Sequence, residues 1–226
     1  MTVHQLKPTS VNGYRVVNRG KDSAEIYLYG VIGADWFGDG ISAKQFATDL
    51  KALGPVKNID LRINSEGGSV FDGKAMYSLL KEHPAKVTVH VDGLAASAAS
   101  FIAMAGDTIN IAEGAFVMIH NAYMMAVGDA REMRRSADML ETVNNTIIDT
   151  YVARTRGDRK AIMKMMDDET WMAGSEAVQN GFADNMVANL KVAASVSHPD
   201  RFKNIPKSLK NSRAASALAR IENLKS

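Results

Sequence analysis

The amino-acid sequence predicts an α/β fold built on a mostly parallel sheet, with one long helix projecting from it. Short β-rich apolar runs alternate with segments whose apolar residues recur at helical spacing. Two of the strands lead through glycine-bearing turns into helices, and one helical segment is far longer than the others. Strands that alternate with helices favour right-handed crossovers, and such crossovers produce a parallel sheet.

The first strand and the first helix have clear boundaries in the sequence. Ala24–Tyr29 alternates apolar and polar residues, which indicates a half-buried strand. Ser42–Leu53 has a helical apolar face, a serine that can cap its N-terminus, and Gly54 with Pro55 to stop it.

Two strand–turn–helix units with the same plan follow. Ile59–Ile63 reads as a strand that enters a turn at Asn64–Gly68 and then a helix. Val87–Val91 reads as a strand that enters a turn at Asp92–Leu94 and then the small-residue stretch Ala95–Ser100. Functional sites in parallel sheets form at the carboxyl ends of strands, so we expect these two turns to border a site.

The second half of the sequence predicts shorter strands around a long helix. Thr108–Ile111 and Phe116–Ile119 are apolar strands, and His120 comes directly after the second. Ala130–Ala153 predicts a helix of about 24 residues, or roughly 36 Å, which suggests an arm that meets another subunit. Asp158 is a candidate cap for the next helix.

The C-terminal region differs in composition from the rest of the chain. Ser175 caps a predicted short helix over residues 176–180, and Phe182–Val187 returns as a strand. Periodicity then fades, so we expect one domain over residues 1–190 and a basic tail over residues 191–226, partly helical or disordered. A helix is possible over residues 213–224.

Composition limits the chemistry that this chain can perform. The 226 residues are 46% hydrophobic and 23% charged, which is typical of a globular protein. No cysteine is present, which excludes disulfides and thiolate nucleophiles. The five histidines have no metal-ligand spacing, so neither a metal nor another cofactor is expected. The sequence has no signal peptide or membrane span, which predicts a cytoplasmic protein.

Charge is distributed unevenly along the chain. The net charge is +2, but residues 191–226 hold eight basic and two acidic residues, which leaves residues 1–190 at −4. A basic tail of this kind is either solvated or in contact with nucleic acid or an acidic partner.

Ser97 and His120 are the residues whose positions best suit nucleophilic chemistry. Ser97 lies where a strand turns into a helix, and a helix N-terminus offers free backbone N–H groups to a developing anion. A serine nucleophile needs a base within hydrogen-bond reach, for which His120 is the candidate. Each residue also has an ordinary structural explanation, and Ser100 is an alternative nucleophile.

Two further segments could complete such a site. The glycine turn at Gly67-Gly68 lets the backbone approach a bound peptide and aim an N–H at a carbonyl oxygen, although it also reads as a simple tight turn. One carboxylate of the run Asp167-Asp168-Glu169 could hold the tautomer of a histidine, although acidic runs at helix ends are usually only solvated.

Four motifs in register give the sequence a specific resemblance. The motifs are Ile63–Gly68, Gly93–Ser97, Val117–His120, and Glu176–Val178 followed by Gly181–Asp184. On these motifs, from about residue 24 to residue 187, the chain resembles the proteolytic subunit of the Clp protease. It looks most similar to the phage-encoded head maturation proteases, which carry a segment like Glu169–Met172. The resemblance implies a fold of the ClpP and crotonase type, with repeated ββα units.

The resemblance also assigns roles to individual residues. It implies that Ser97 is the nucleophile, His120 the general base, and Glu169 the third member, with Asp168 as the alternative. It also assigns an oxyanion hole and contacts to the substrate backbone. The oxyanion hole would consist of the backbone N–H groups of Gly68 and Ala98, and Gly67 and Leu94 would hold the substrate backbone.

These roles imply a serine endopeptidase that acts on polypeptides, with phage capsid maturation as its setting. The resemblance implies a homo-oligomeric ring, heptameric or of stacked heptamers, with phage capsid proteins as partners. The N-terminal segment does not match the family's pore loops, so we expect no ATPase partner. Two alternatives stay open, namely a crotonase-like acyl-CoA enzyme and an inactive capsid scaffold component.

Overall fold

Eight strands form one mostly parallel sheet in the part of the chain that the computed structural model describes, residues 13–33, 40–188, 196 and 198–210. The sheet has the order β1 (Tyr14–Asn18), β2 (Ser23–Ile32), β3 (Asn58–Gly68), β4 (Lys86–Ala96), β5 (Thr108–Ala112) and β8 (Asn185–Val187). It is joined by β6 (Phe116–Ile119), which pairs with β4 and with β7 (Thr170–Ala173). Among the described strand pairs, only β1–β2 and β6–β7 are antiparallel. The predicted α/β class with a mostly parallel sheet is therefore confirmed.

The described elements alternate along the chain as the sequence pattern indicates. The helices are α1 (Ala43–Ala52), α2 (Val70–Glu82), α3 (Ala98–Ala103), α4 (Ala130–Thr155), α5 (Arg159–Asp167), α6 (Gly174–Gln179) and α7 (Lys207–Lys210).

Side-chain caps start the helices close to where the sequence predicts. The Ser42 hydroxyl accepts from the N–H of Gln45 at the start of α1, and Asp158 accepts from the N–H of Ala161 at the start of α5. Asp129 caps α4 within a reciprocal capping box. These local hydrogen bonds explain why the three predicted helices match the structure within a few residues.

Both predicted turns at strand ends are wrong, because the strands continue through them. β3 runs on to Gly68 and β4 runs on to Ala96. Ser65 pairs with Ala95 across the two extended ends, and this parallel pairing overrides the local turn preference of glycine and asparagine. The chain therefore leaves the first unit's strand only at Ser69 and the second unit's strand only at Ser97.

The long helix α4 lies largely outside the core. It has 26 residues, and its buried side chains all lie in its C-terminal third: Ile147, Ile148 and Tyr151. Upstream, Met133 and Met139 are exposed. No helix in the described ranges is long and apolar enough to cross a membrane.

Residues 198–210, called the C-terminal strap below, pack against the sheet. Phe202, Ile205 and Leu209 are buried and form a second apolar cluster with residues of β4, β6 and β7. The expectation of a solvated tail does not hold for this part of the chain. The possible helix over residues 213–224 lies outside the described residues.

Candidate active site

Ser97 occupies a strained turn between β4 and α3. Its φ of 53° and ψ of −124° lie in a region that residues with a side chain rarely adopt. The turn is held by a hydrogen bond of 2.9 Å from the Ser97 N–H to the carbonyl of Met118 on β6. Strain of about 1–3 kcal/mol per residue is typical of functional sites, where the surrounding structure enforces it.

Pairing between β4 and β6 brings the serine to the histidine. Ala96, the last residue of β4, pairs with Met118, two residues before His120. At the end of the two strands, the Nε2 atom of His120 lies 2.8 Å from the Oγ atom of Ser97. A hydroxyl at this distance from an imidazole nitrogen can pass its proton to that nitrogen when it attacks a carbonyl carbon.

The surroundings of His120 favour the neutral imidazole that a general base requires. Burial lowers the pKa of His120, the negative charge of Glu169 raises it, and the positive charge of Lys203 lowers it further. The net result is a pKa below the ordinary value for histidine, so the ring is unprotonated at neutral pH.

The three carboxylates of the acidic run, residues 167–169, have different surroundings and partners. Asp167 accepts a hydrogen bond of 2.7 Å from Asn121, and Asp168 is exposed and paired with Lys164 at 2.5 Å. Glu169 has a φ of 50° and is 6% exposed, which turns its side chain inward near His120. Of the two candidates for the third member, only Glu169 lies in the site.

The Glu169 carboxylate is held mostly by the C-terminal strap. It accepts hydrogen bonds from the N–H of Lys203 at 3.0 Å, the N–H of Asn204 at 2.7 Å and the indole of Trp171 at 3.2 Å. Among the described residues, its hydrogen bonds do not include one to His120. Its influence on the imidazole in this structure is therefore electrostatic.

The glycine pair lies beside the serine turn, but the two glycines differ in role. A Cβ on Gly67 would lie 2.8 Å from the Cβ of Ser97 and 2.6 Å from the carbonyl oxygen of Ala96, so only glycine permits this close approach. The Gly67 N–H donates to the Ser65 hydroxyl at 3.1 Å. Gly68, in contrast, is exposed at the end of β3.

Ala98 and Leu94 differ in what they can offer to a substrate. The Ala98 N–H is the first of α3 and has no hydrogen-bond partner among the described residues, as expected for a helix N-terminus. Leu94 is fully buried, with its backbone between neighbouring strands and its side chain in the cluster beneath the strap. The assignment of substrate-backbone contacts to Gly67 and Leu94 stays a prediction.

An apolar cleft opens next to the Ser97 hydroxyl. It lies on the side of the sheet that α3 and α4 cover, with Tyr151 and Ile147 contributed by α4. The lining residues are Val70, Ser97, Ala98, Phe101, His120, Ala122, Ile147 and Tyr151. Ser100, the alternative nucleophile, is fully buried and hydrogen-bonded to the Tyr151 hydroxyl at 2.8 Å.

The contribution of the strap to the site was not predicted from the sequence. Lys203, Asn204 and Phe202 lie more than 30 residues beyond Glu169, so no local pattern joins them to it. The available signal was the spacing of Phe202, Ile205 and Leu209 within the basic tail, which matches the buried positions of the strap. Within the described ranges, no group of three or more potential metal ligands is present.

Comparisons with known proteins find a matching family and relatives of this chain. The family model described as Clp protease matches residues 11–190. The ATP-dependent Clp protease proteolytic subunit 1 of Protochlamydia amoebophila (strain UWE25) is 32% identical over 142 residues, 61% of this chain and 69% of the relative. The subunit of the same name from Chlamydia muridarum (strain MoPn / Nigg) is 31% identical over 162 residues, 67% of this chain and 84% of the relative.

The family match covers both glycine-bearing strand ends, the serine turn, the histidine and the acidic run. A match of this extent decides against the acyl-CoA alternative. The chain belongs to the Clp protease family and is a serine-type endopeptidase.

Proposed function

We propose that this chain hydrolyses peptide bonds with Ser97 as nucleophile, His120 as general base and Glu169 as the acidic member. The observation that carries the proposal is the 2.8 Å distance between Ser97 Oγ and His120 Nε2. An imidazole kept neutral by burial is ready to accept the serine proton.

The reaction proceeds through an acyl-enzyme. Ser97 Oγ attacks the substrate carbonyl carbon while its proton passes to His120 Nε2, and the resulting oxyanion accepts hydrogen bonds from the N–H groups of Gly68 and Ala98. The C–N bond then breaks, and the imidazolium returns its proton to the leaving amine. Water, activated by the same imidazole, hydrolyses the ester and regenerates the serine.

Glu169 supports the positive charge that His120 gains during both steps. Its carboxylate raises the pKa of His120, because its negative charge stabilises the protonated imidazolium. Glu169 is buried, and the rings of Phe202 and Trp171 lie beside the two side chains, so the low polarity of these surroundings strengthens the interaction.

The cleft beside Ser97 is small, with a volume of about 20 Å³, and its apolar lining supports a preference for a small apolar side chain next to the scissile bond. Phe101, Ile147 and Ala122 offer it hydrophobic surface, and the lining contains no charged residue other than the titratable His120. Among natural substrates, we propose phage capsid proteins, on the basis of the resemblance of Glu169–Met172 to head maturation proteases.

We also propose that the chain assembles into a homo-oligomeric ring, a heptamer or two stacked heptamers. The segment after His120 exposes Tyr123, Met125 and Val127, the last completely, and this apolar surface continues onto α4 at Met133. Curated relatives named as proteolytic subunits support an assembly of this kind.

Replacing the serine tests the proposed nucleophile. Ser97→Ala should lower kcat/KM for an apolar peptide substrate by about 10⁴-fold or more, because no other group can form the acyl-enzyme. Ser100→Ala, which removes a hydroxyl that donates to the Ser97 carbonyl at 2.6 Å, is the matched control and should lower kcat/KM far less than Ser97→Ala. A Ser97→Ala protein that cleaves as fast as the parent would exclude this mechanism.

The pH dependence of kcat/KM tests the roles of His120 and Glu169. Activity should fall as the pH drops below the lowered pKa of His120, because protonation removes the base. Glu169→Gln removes a charge that raises this pKa, so the acidic limb should move to lower pH while kcat falls.

The matched control for that variant is Asp168→Asn, which changes a neighbouring carboxylate that faces solvent. It should leave both the acidic limb and kcat unchanged. The assignment of Glu169 is wrong if the asparagine variant shifts the profile and the glutamine variant does not.

Native mass spectrometry tests the proposed ring. The parent should form a heptamer or a multiple of it, whereas a Met125→Asp and Val127→Asp double variant should dissociate, because charge replaces exposed apolar surface. Met163→Asp, on a separate exposed position of α5, should leave the assembly intact. A parent protein that is only monomeric at micromolar concentration would contradict the proposal.

A further inference from the structure

The C-terminal strap spans the site from the glycine-turn side to the acidic side. At its start, the N–H and Nδ1 atoms of His198 both lie 3.3 Å from the Glu66 carboxylate, one residue before Gly67. Farther along, Lys203 and Asn204 reach Glu169. The strap therefore connects two parts of the site that lie more than 100 residues apart in the sequence.

Apolar side chains anchor the strap firmly enough to position its backbone. Phe202, Ile205 and Leu209 are each at most 8% exposed, and they pack on Leu94 and Met118, which are fully buried. Burial of a large apolar side chain contributes about 1.5–3 kcal/mol. The strap is thus a packed layer on the sheet face beneath Ser97 and His120.

Backbone N–H groups of the strap donate hydrogen bonds to both oxygens of the Glu169 carboxylate. The Lys203 N–H donates to Oε2 at 3.0 Å, and the Asn204 N–H donates to Oε1 at 2.7 Å. The Asn204 amide also donates to the carbonyl of Asp168 at 2.7 Å, which ties the same turn to the backbone beside Glu169. Two donors on separate oxygens leave the carboxylate little rotational freedom.

The strap also contacts the base. The Phe202 ring lies 6.2 Å from the His120 ring and 5.3 Å from the Trp171 ring, centroid to centroid. Because the Trp171 indole itself donates to Glu169, one aromatic side chain of the strap contacts both the imidazole and a donor to its acidic partner.

The strap could support the catalytic residues or block access to Ser97, and the location of the cleft distinguishes these two effects. The side chains that line the cleft come from α2, α3, α4 and the turns at Ser97 and His120, and none comes from the described residues of the strap. A strap that lies on the other side of His120 leaves the cleft open to a substrate. Its contacts are those of a support and do not block the serine.

We propose that the C-terminal strap is a working part of the catalytic centre, in which the backbone N–H groups of Lys203 and Asn204 hold the Glu169 carboxylate in position to support His120. This inference rests on the proposed function. Lys203 and Asn204 are positioning residues, because they act on the reaction only through Glu169 and not by contact with the substrate.

The positive charge of Lys203 also acts on His120. It lowers the pKa of His120, against the effect of Glu169. Among the described residues, the Ser97 hydroxyl and the Tyr123 and Phe202 side chains also face the ring. Neutralising Lys203 should therefore raise the pKa of His120 if the strap is seated in the active enzyme.

A double-mutant cycle on the full chain tests the inference. Asn204→Pro removes the N–H donor, whereas the matched variant Asn204→Ala removes only the side-chain amide. The proline variant should lose about 10- to 100-fold in kcat with little change in KM, because the carboxylate is misplaced. The alanine variant should lose less than about 3-fold. In a Glu169→Ala background, the proline substitution should cause almost no further loss.

Leu209→Ala controls for general loosening of the strap, since Leu209 is buried without contacting Glu169. It should lower kcat far less than Asn204→Pro at a temperature where both are folded. Additive losses for Asn204→Pro and Glu169→Ala, or a proline variant as active as the parent, would overturn the inference.

The pH profile of Lys203→Met decides the question if the proline variant does not fold. This variant keeps the backbone N–H, and its acidic limb should move to higher pH, while Lys207→Met, at an exposed position of the strap, should leave the limb unchanged. Identical profiles for both variants would overturn the inference. If the parent itself shows no peptide hydrolysis that depends on Ser97, the proposed function fails first, and the two failures are thereby distinguished.

Discussion

The pairing of the last residues of β4 with β6 is the contact on which the candidate site depends. β4 pairs with β5 through Thr88–Val91 and then changes partner, pairing with β6 through Leu94–Ala96. That second pairing supplies the carbonyl that holds the Ser97 N–H and leaves His120 one residue beyond the end of β6. A slip of one residue in this register would send the imidazole to the opposite face of the sheet.

Positive φ values mark two candidate members of the triad. Of the three described non-glycine residues with positive φ, Ser97 and Glu169 belong to the candidate site, and Arg156 ends α4. The strained serine turn is possible because Gly67, which lacks a Cβ, lets the end of β3 lie directly against it. The core that holds these strands is continuous and apolar, so the sheet can enforce backbone conformations that the isolated segments would not adopt.

The sequence predicts the helices better than it predicts the strand ends. Capping residues such as Ser42 and Asp158 act locally, and their signal survives without tertiary context. Asn64–Gly68 has the composition of a turn, yet it is strand, because neighbouring strands satisfy its backbone. β1 and β7 were not predicted, since each depends on antiparallel pairing with a strand elsewhere in the chain.

In the candidate site too, residues within local motifs were predicted, and contacts between distant segments were not. Spacing and resemblance were sufficient to select Ser97, His120 and Glu169, but they left Asp168 as an alternative. The structure separates the two carboxylates, because the chain turns at Glu169 after α5 and buries only the second. The spacing of apolar residues in the strap was a weak local signal, because lysines separate them, and no local pattern joins the strap to partners that lie far away in the sequence.

Covalent labelling tests the central claim, that Ser97 is a nucleophile activated by His120, most directly. The full chain would be treated with diisopropyl fluorophosphate, digested, and analysed by tandem mass spectrometry to find the modified residue. We expect a single phosphorylated serine at Ser97 and loss of labelling in His120→Ala. A label on a different serine, or equal labelling of Ser97 with and without His120, would contradict the account.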